Sequence, residues 1–289
     1  MKTVLVIGSM NMDYTIYCSR FPNAGETLSA YERIVQPGGK GANQAASCAK
    51  SKGVHTLFFG ACGSDSDGDM LLNSLGKAGV DCRVSRVNAS TGNATIFVNE
   101  EGENEILIVA GANALVKDVP QEFIEEADCL ILQNEIPIKT NLDAMKKAKS
   151  LGKPIIYNPA PAAKAGEACI DLCDFLIVNE TELASYSGTE DIDQGMDIML
   201  SRGLPHIIVT LGENGSRYKG KEGEHNIPAV KVDAVDTVGA GDTYVGYFAS
   251  ALIQGKLIPE AMEYASKASS IAVTRKGSIA AIPFGEELN

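Results

Sequence analysis

A chain of 289 residues, 45% hydrophobic and 21% charged, has room and composition for one large α/β domain or two smaller ones. Its 37 acidic residues outnumber 25 basic ones, and the resulting charge of −12 argues against a general nucleic-acid binder, which needs a basic face toward phosphate. A single small anion is still allowed, because a few backbone amides suffice to hold one.

Taken in chain order, "TVLVIG" (3–8) opens with an apolar run too short for a signal-peptide core. No later segment approaches the roughly 18 to 20 apolar residues that span a bilayer. Seven cysteines, Cys18, Cys48, Cys62, Cys82, Cys129, Cys169 and Cys173, are an odd, scattered set that reads as small buried hydrophobes in a reducing compartment. A cytoplasmic location is therefore expected.

"HTLFFGAC" (55–62), "CLILQN" (129–134), "PIIYNP" (154–159), "FLIVN" (175–179) and "HIIVTLG" (206–212) repeat the pattern of strands covered on both faces. Helical stretches lie between them, at 41–53, 69–79, 141–152 and 195–204, and two longer ones follow from Gly241 to Gln254 and from Pro259 to about Arg275. This alternation predicts a mostly parallel central sheet flanked by helices. Two segments break it. Residues 13–36 alternate like half-exposed strands about Pro22-Asn23-Ala24-Gly25, and residues 93–111 form a hairpin joined by Asn99–Asn104. They predict a small β-sheet projecting from one α/β domain that spans 1–289. It is either an edge extension or a lid, since closure over a ligand would keep water from a transferring group.

The two familiar phosphate loops are missing: Gly39-Lys40 is followed by Gly41, Gly76-Lys77 by Ala78, and no G-x-G-x-x-G follows the first strand. Gly239-Ala240-Gly241-Asp242 offers another route. Small residues let successive amides converge where a helix presents its positive end, and a carboxylate stands beside them to accept a proton. The plain alternative is a turn with an acidic cap. "PGGKGANQAA" (37–46) lets the backbone approach a polar ligand, with Lys40 and Asn43 as hydrogen-bonding groups. "GSMNMD" (8–13), "NETE" (179–182) and "TLGENG" (210–215) each follow a strand directly, where open α/β sheets bind ligands.

This ordered set resembles the ribokinase branch of the ribokinase/PfkB carbohydrate-kinase family, from Gly8 to about Pro283. The resemblance implies a kinase that moves the γ-phosphoryl of ATP to a sugar hydroxyl, with a ribokinase-like fold and a β lid that forms a homodimer contact. It assigns Asp242 as base and Gly239, Ala240 and Gly241 as anion hole. Asn11, Asp13, Gly39, Lys40, Gly41, Ala42, Asn43 and Glu135 fall on its sugar site. Asn179 matches a nucleotide-phosphate contact, Glu182 the residue that organises Mg2+, and Thr210, Leu211, Gly212, Glu213, Asn214 and Gly215 the turn along the nucleotide. Ser266 falls near the adenine. Asp236, Val238, Ala272, Arg275, Gly277 and Ala281 align with a K+ site built mostly of carbonyls. "AGAN" (110–113), Asn11 and Asp13 favour D-ribose as acceptor; deoxyribose, fructose and nucleoside kinases are the alternatives. A non-catalytic sugar- or nucleotide-binding regulator would have lost the base, the glycines or Glu182, and all are present.

Overall fold

In a computed structural model of the chain, which describes residues 1–288, apolar runs become strands and the intervening amphipathic stretches become helices. The first half reads β1 (Lys2–Ile7), β2 (Asn11–Tyr17), β3 (Glu32–Gly38), α1 (Lys40–Ser51), β4 (Val54–Gly63), α2 (Ser66–Ala78), β5 (Asp81–Val87), β6 (Gly92–Val98) and β7 (Asn104–Val109). The middle continues with α3 (Gln121–Glu126), β8 (Cys129–Leu132), α4 (Ile138–Ser150), β9 (Ile155–Tyr157), α5 (Glu167–Ile170), β10 (Phe175–Asn179), α6 (Glu180–Ser187) and α7 (Ile192–Ser201). It closes with β11 (His206–Thr210), β12 (Ser216–Gly220), β13 (Gly223–Ile227), α8 (Ala240–Ile253) and α9 (Ile258–Ala272).

Nine strands form one sheet in the order β13-β12-β11-β10-β9-β8-β1-β4-β5, parallel from β11 to β5 and antiparallel at the β12–β13 margin. Alternation along each strand divides the core between its two faces. Val4 and Val6 of β1 meet α1, α2, α8 and α9, whereas Leu5 and Ile7 meet α3, α4 and α7. Burial on both sides explains why these strands are continuously apolar. Strand order reverses at β1, which lies between β4 and β8. Carboxyl ends of β1 and β8 thus flank a topological switch point, where such sheets leave a crevice.

A separate four-stranded sheet, in the order β3-β2-β6-β7, stands beside this crevice. Its strands run two residues beyond the expected 13–36 segment at each end, pairing Asn11 with Gly38 and with Gly92. Three strands are not expected from the sequence pattern. β5, β12 and β13 lie on the sheet margins, where one side is solvated and polar residues alternate with apolar ones. All seven cysteines are free; six are buried and Cys82 is half-buried, and burial pushes the Cys48 thiol up to about 12. Among the described residues no helix is long and apolar enough to cross a membrane.

Candidate active site

Carboxyl ends of β1, β8 and β10 and amino ends of α1, α6 and α8 meet at the crevice. α1 starts one residue earlier than expected, and its approach is governed by glycine. Gly39 has φ +89°, and a Cβ there would sit 2.7 Å from the Asn11 amide nitrogen. At Gly41 a Cβ would lie 2.6 Å from the Ser9 nitrogen, so the first turn of α1 rests directly on the backbone after β1. Ala42 N donates to Ser9 O at 2.8 Å, fastening this contact.

That placement assembles a polar pocket. Ser9 Oγ donates to Glu135 Oε2 at 2.5 Å, and the Lys40 amide donates to the same oxygen at 3.0 Å. Asn43 Nδ2 donates to Asp242 Oδ2 at 2.9 Å across a separation of 199 residues. Asn113, in the turn after β7, donates through Nδ2 to Asn11 Oδ1 at 2.7 Å and accepts from the Met10 amide at 3.0 Å. Asn11 Nδ2 has no partner among the described residues. Asn43 Oδ1 is buried with no partner among the described residues, an acceptor that a ligand hydroxyl would satisfy. Ser9 and Asn113 were not singled out from sequence; each stands in a stretch already flagged, "GSMNMD" and "AGAN".

Charge is concentrated here. Burial, followed by the carboxylates of Glu135 and Asp242, pushes the Asp13 carboxyl up to about 7. Burial alone would lower the Lys40 ammonium, but Asp242, Glu135 and Glu182 outweigh it and the net direction is upward. Glu182 is likewise raised, chiefly by burial. Asp13, Lys40, Asp242 and Glu182 thus share one field, although 229 residues separate Asp13 from Asp242. Such a cluster in a crevice is the pattern expected of a functional site.

Beside the pocket lies a cavity of about 890 Å³, lined in part by Thr210, Gly212–Gly215, Ala240, Gly241, Tyr244 and Ser266. Its size suits a nucleotide-sized ligand. Leu211 N donates to Gly215 O at 2.8 Å, closing the turn that carries Glu213 and Asn214 along its wall. α8 begins at Ala240, with Gly239 as N-cap and no side-chain cap. The amides of Gly239, Gly241 and Asp242 have no acceptor among the described residues, whereas Ala240 N donates to Thr237 O at 3.2 Å. The tetrad is thus a turn whose Ala240 amide is engaged internally, with free amides on either side of it. At α6, Asn179 and Glu182 form a reciprocal capping box: Glu182 N donates to Asn179 Oδ1 at 2.7 Å and Asn179 N to Glu182 Oε2 at 3.0 Å. Asn179 Nδ2 and Glu182 Oε1 stay unpartnered among the described residues.

The residues aligned with a cation site converge on one loop pair. Asp236 accepts from Val238 N at 3.0 Å and from Gly277 N at 2.9 Å, while Asp236 N donates to Val273 O at 3.1 Å. Arg275 turns its guanidinium outward to Glu287, leaving only its backbone toward the loops. Ala272 O already accepts from Arg275 N at 3.0 Å, and Ala281 is buried beside them. No group of three or more His, Cys, Asp or Glu side chains with metal-holding geometry occurs among the described residues.

Comparison with known proteins gives the family of the chain as a whole. Residues 1–284 match the family described as pfkB family carbohydrate kinase. A ribokinase of Staphylococcus aureus (strain COL) is 35% identical over 299 residues, covering 99% of this chain and 98% of the relative. A deoxyribokinase of Salmonella typhi is 35% identical over 300 residues, covering 99% and 97%. Among solved structures, Arabidopsis thaliana ribokinase complexed with ribose and ATP superposes with a TM-score of 0.92 at 32% identity, covering 99% of this chain and 97% of that one. The chain belongs to the pfkB family of carbohydrate kinases.

Proposed function

We propose that the protein transfers the γ-phosphoryl of ATP to the primary hydroxyl of D-ribose, giving ribose 5-phosphate. The observation that carries this reading is the hydrogen bond from Asn43 Nδ2 to Asp242 Oδ2. It joins the polar pocket to the helix end that opens on the nucleotide-sized cavity. Sugar binds among Asn11, Asp13, Gly39, Lys40, Gly41, Ala42, Asn43 and Glu135, and ATP along Thr210–Gly215 with the adenine toward Ser266. Asp242 accepts the hydroxyl proton. The transition state is loose, so the proton leaves late and an ordinary carboxylate is basic enough. Free amides of Gly239 and Gly241, with the positive end of α8, neutralise the equatorial oxygens as the phosphoryl group moves; Ala240 shapes the turn and joins them if its bond to Thr237 opens.

Glu182 Oε1 and Asn179 Nδ2, the uncommitted atoms of the capping box, suit Mg2+ with its waters and a phosphate oxygen respectively. Held there, Mg2+ would supply charge neutralisation for the transferring phosphoryl group. The Asp236–Gly277 loop pair fits K+, because Asp236 anchors the backbone whose carbonyls would face the ion, at Val238, Ala272, Arg275, Gly277 and Ala281. Ribose is preferred over deoxyribose because Asn113 turns the NH2 end of Asn11 outward, ready for an additional hydroxyl oxygen.

The small sheet acts as a lid on one continuous α/β body and as the contact for a homodimer. Four consecutive residues of β7, Ile106 to Val109, are each more than half exposed, an apolar strip that a second copy would cover. Use of ATP and the set of free thiols suit the cytoplasm. A substrate panel with ATP and Mg2+, run on the wild type and on Asp242→Asn, tests the reading. D-ribose should give the highest kcat/KM, and the variant should lose about 10² to 10⁴ in kcat. Another sugar far ahead of ribose, or near-normal turnover in the variant, would refute the respective half.

A further inference from the structure

We propose that Gln44 is the positioning residue for the base, presenting a carboxamide NH2 to Asp242 in an orientation dictated by the central sheet. This rests on Asp242 serving as the base. The observation is a buried chain of amides that reaches Asp242 from the side opposite Asn43.

Gln44 Nε2 donates to Asp242 Oδ1 at 2.9 Å and to Asn158 Oδ1 at 3.0 Å, so both its hydrogens are engaged. Gln44 Oε1 accepts from Gln133 Nε2 at 2.6 Å. Asn158, at the end of β9, donates through Nδ2 to Ile177 O of β10 at 2.9 Å. A backbone carbonyl can only accept, so Asn158 must turn its NH2 to Ile177 and its oxygen to Gln44. Gln44 must then turn its own NH2 to Asn158, and the second hydrogen falls on Asp242. Gln133 completes the lock by donating to the remaining end. Gln44 and Gln133 have no solvent exposure, so water cannot replace either partner.

The consequence is electrostatic and geometric. With Asn43 on Oδ2 and Gln44 on Oδ1, each carboxylate oxygen of Asp242 receives one neutral donor. The carboxylate plane is fixed, while a second lone pair on each oxygen stays open to the acceptor hydroxyl. Groups that face Asp242 from the surrounding elements are Asp13 on β2, Lys40 on α1 and Glu182 on α6, with Glu135 beyond them against Asp13 and Lys40. The cation and these carboxylates are shared by every variant below, so a change at Gln44 is read against a constant background.

The test is steady-state kinetics with D-ribose and ATP across pH, on full-length Gln44→Met, Gln44→Glu and Asp242→Asn. Gln44→Met removes a hydrogen bond to a charged group and should lower kcat by about tenfold or more with KM for ATP within about threefold. Gln44→Glu is isosteric and sets a carboxyl against Asp242. The pair would share a proton, so the acidic limb of the kcat profile should move up by at least about one pH unit, with activity recovering at alkaline pH. A purely structural glutamine would lower the melting temperature and leave the limb in place. If Gln44→Met does not fold, the limb of Gln44→Glu decides alone. A Gln44→Glu profile that superimposes on the wild type, or kcat of folded Gln44→Met within about twofold of it, overturns the proposal. Activity retained in Asp242→Asn would instead overturn the base assignment, whereas an inactive Asp242→Asn with both Gln44 variants unaffected would remove Gln44 only.

Discussion

Replacing Asp13 by Asn should make the ligand-free protein more stable, and the gain should grow with pH. The carboxyl is held up to about 7 from an ordinary 3.8, by burial first and by Glu135 and Asp242 after it. Between these values the native state binds the proton and the unfolded chain does not, so the wild type loses stability as pH rises through the window. Below about 4 both states are protonated and above about 7 both are ionised, so the loss begins and levels off there. At about 1.36 kcal/mol per pH unit, the separation sets a ceiling of about 4 kcal/mol. Water entering the crevice and relief shared with Glu135 and Asp242 should reduce it to roughly half. Urea denaturation of both proteins at pH 4, 5.5, 7 and 8.5, without sugar or nucleotide, gives the difference directly. A difference that is flat across pH, or that favours the wild type increasingly at alkaline pH, would refute the reasoning.

Three further outcomes are expected. Gly41→Ala forces a Cβ to within 2.6 Å of the Ser9 nitrogen and should cost about 1 to 3 kcal/mol in denaturant stability, with a raised KM for sugar; a cost under about 0.5 kcal/mol would show that α1 does not rest on that backbone. Light scattering should give a two-chain mass for the wild type and a one-chain mass for Ile108→Glu, and a monomeric wild type at micromolar concentration would remove the β7 contact. Rates in K+ should exceed those in a large organic cation at equal ionic strength, and equality would discard the cation role of the Asp236 loop.

Much of this site was legible because its chemistry sits where backbone geometry demands particular residues. Gly39 and Gly41 mark a close backbone approach, Asn11 and Asn179 stand at the ends of buried apolar runs, and Glu135 is reached only through the family resemblance. What escaped was of two kinds. β5, β12 and β13 are marginal strands whose solvated side breaks the apolar run, so no period announces them. Gln44, Gln133, Asn158 and Asn113 act on other side chains through tertiary contacts, and Gln44 and Asn158 meet across 114 residues. A buried carboxamide beside a strand end was the available hint, but its partner is invisible in one dimension. The Ala240 amide teaches the same lesson at shorter range, since its bond to Thr237 depends on the bend taken by the preceding loop.

The pairing of Asn11 with Gly38 and Asp13 with Gln36 has a mechanical corollary. Two residues of the proposed sugar pocket are also the root of the projecting sheet, rather than members of the rigid body beneath it. Any tilt of that sheet about its root swings Asn11 and Asp13 by the same angle, with β7 at the far end of the arm. In the proposed function, grip on the acceptor and posture of the outer strip would then be coupled, and a force applied at Ile106–Val109 would change the hold on the sugar.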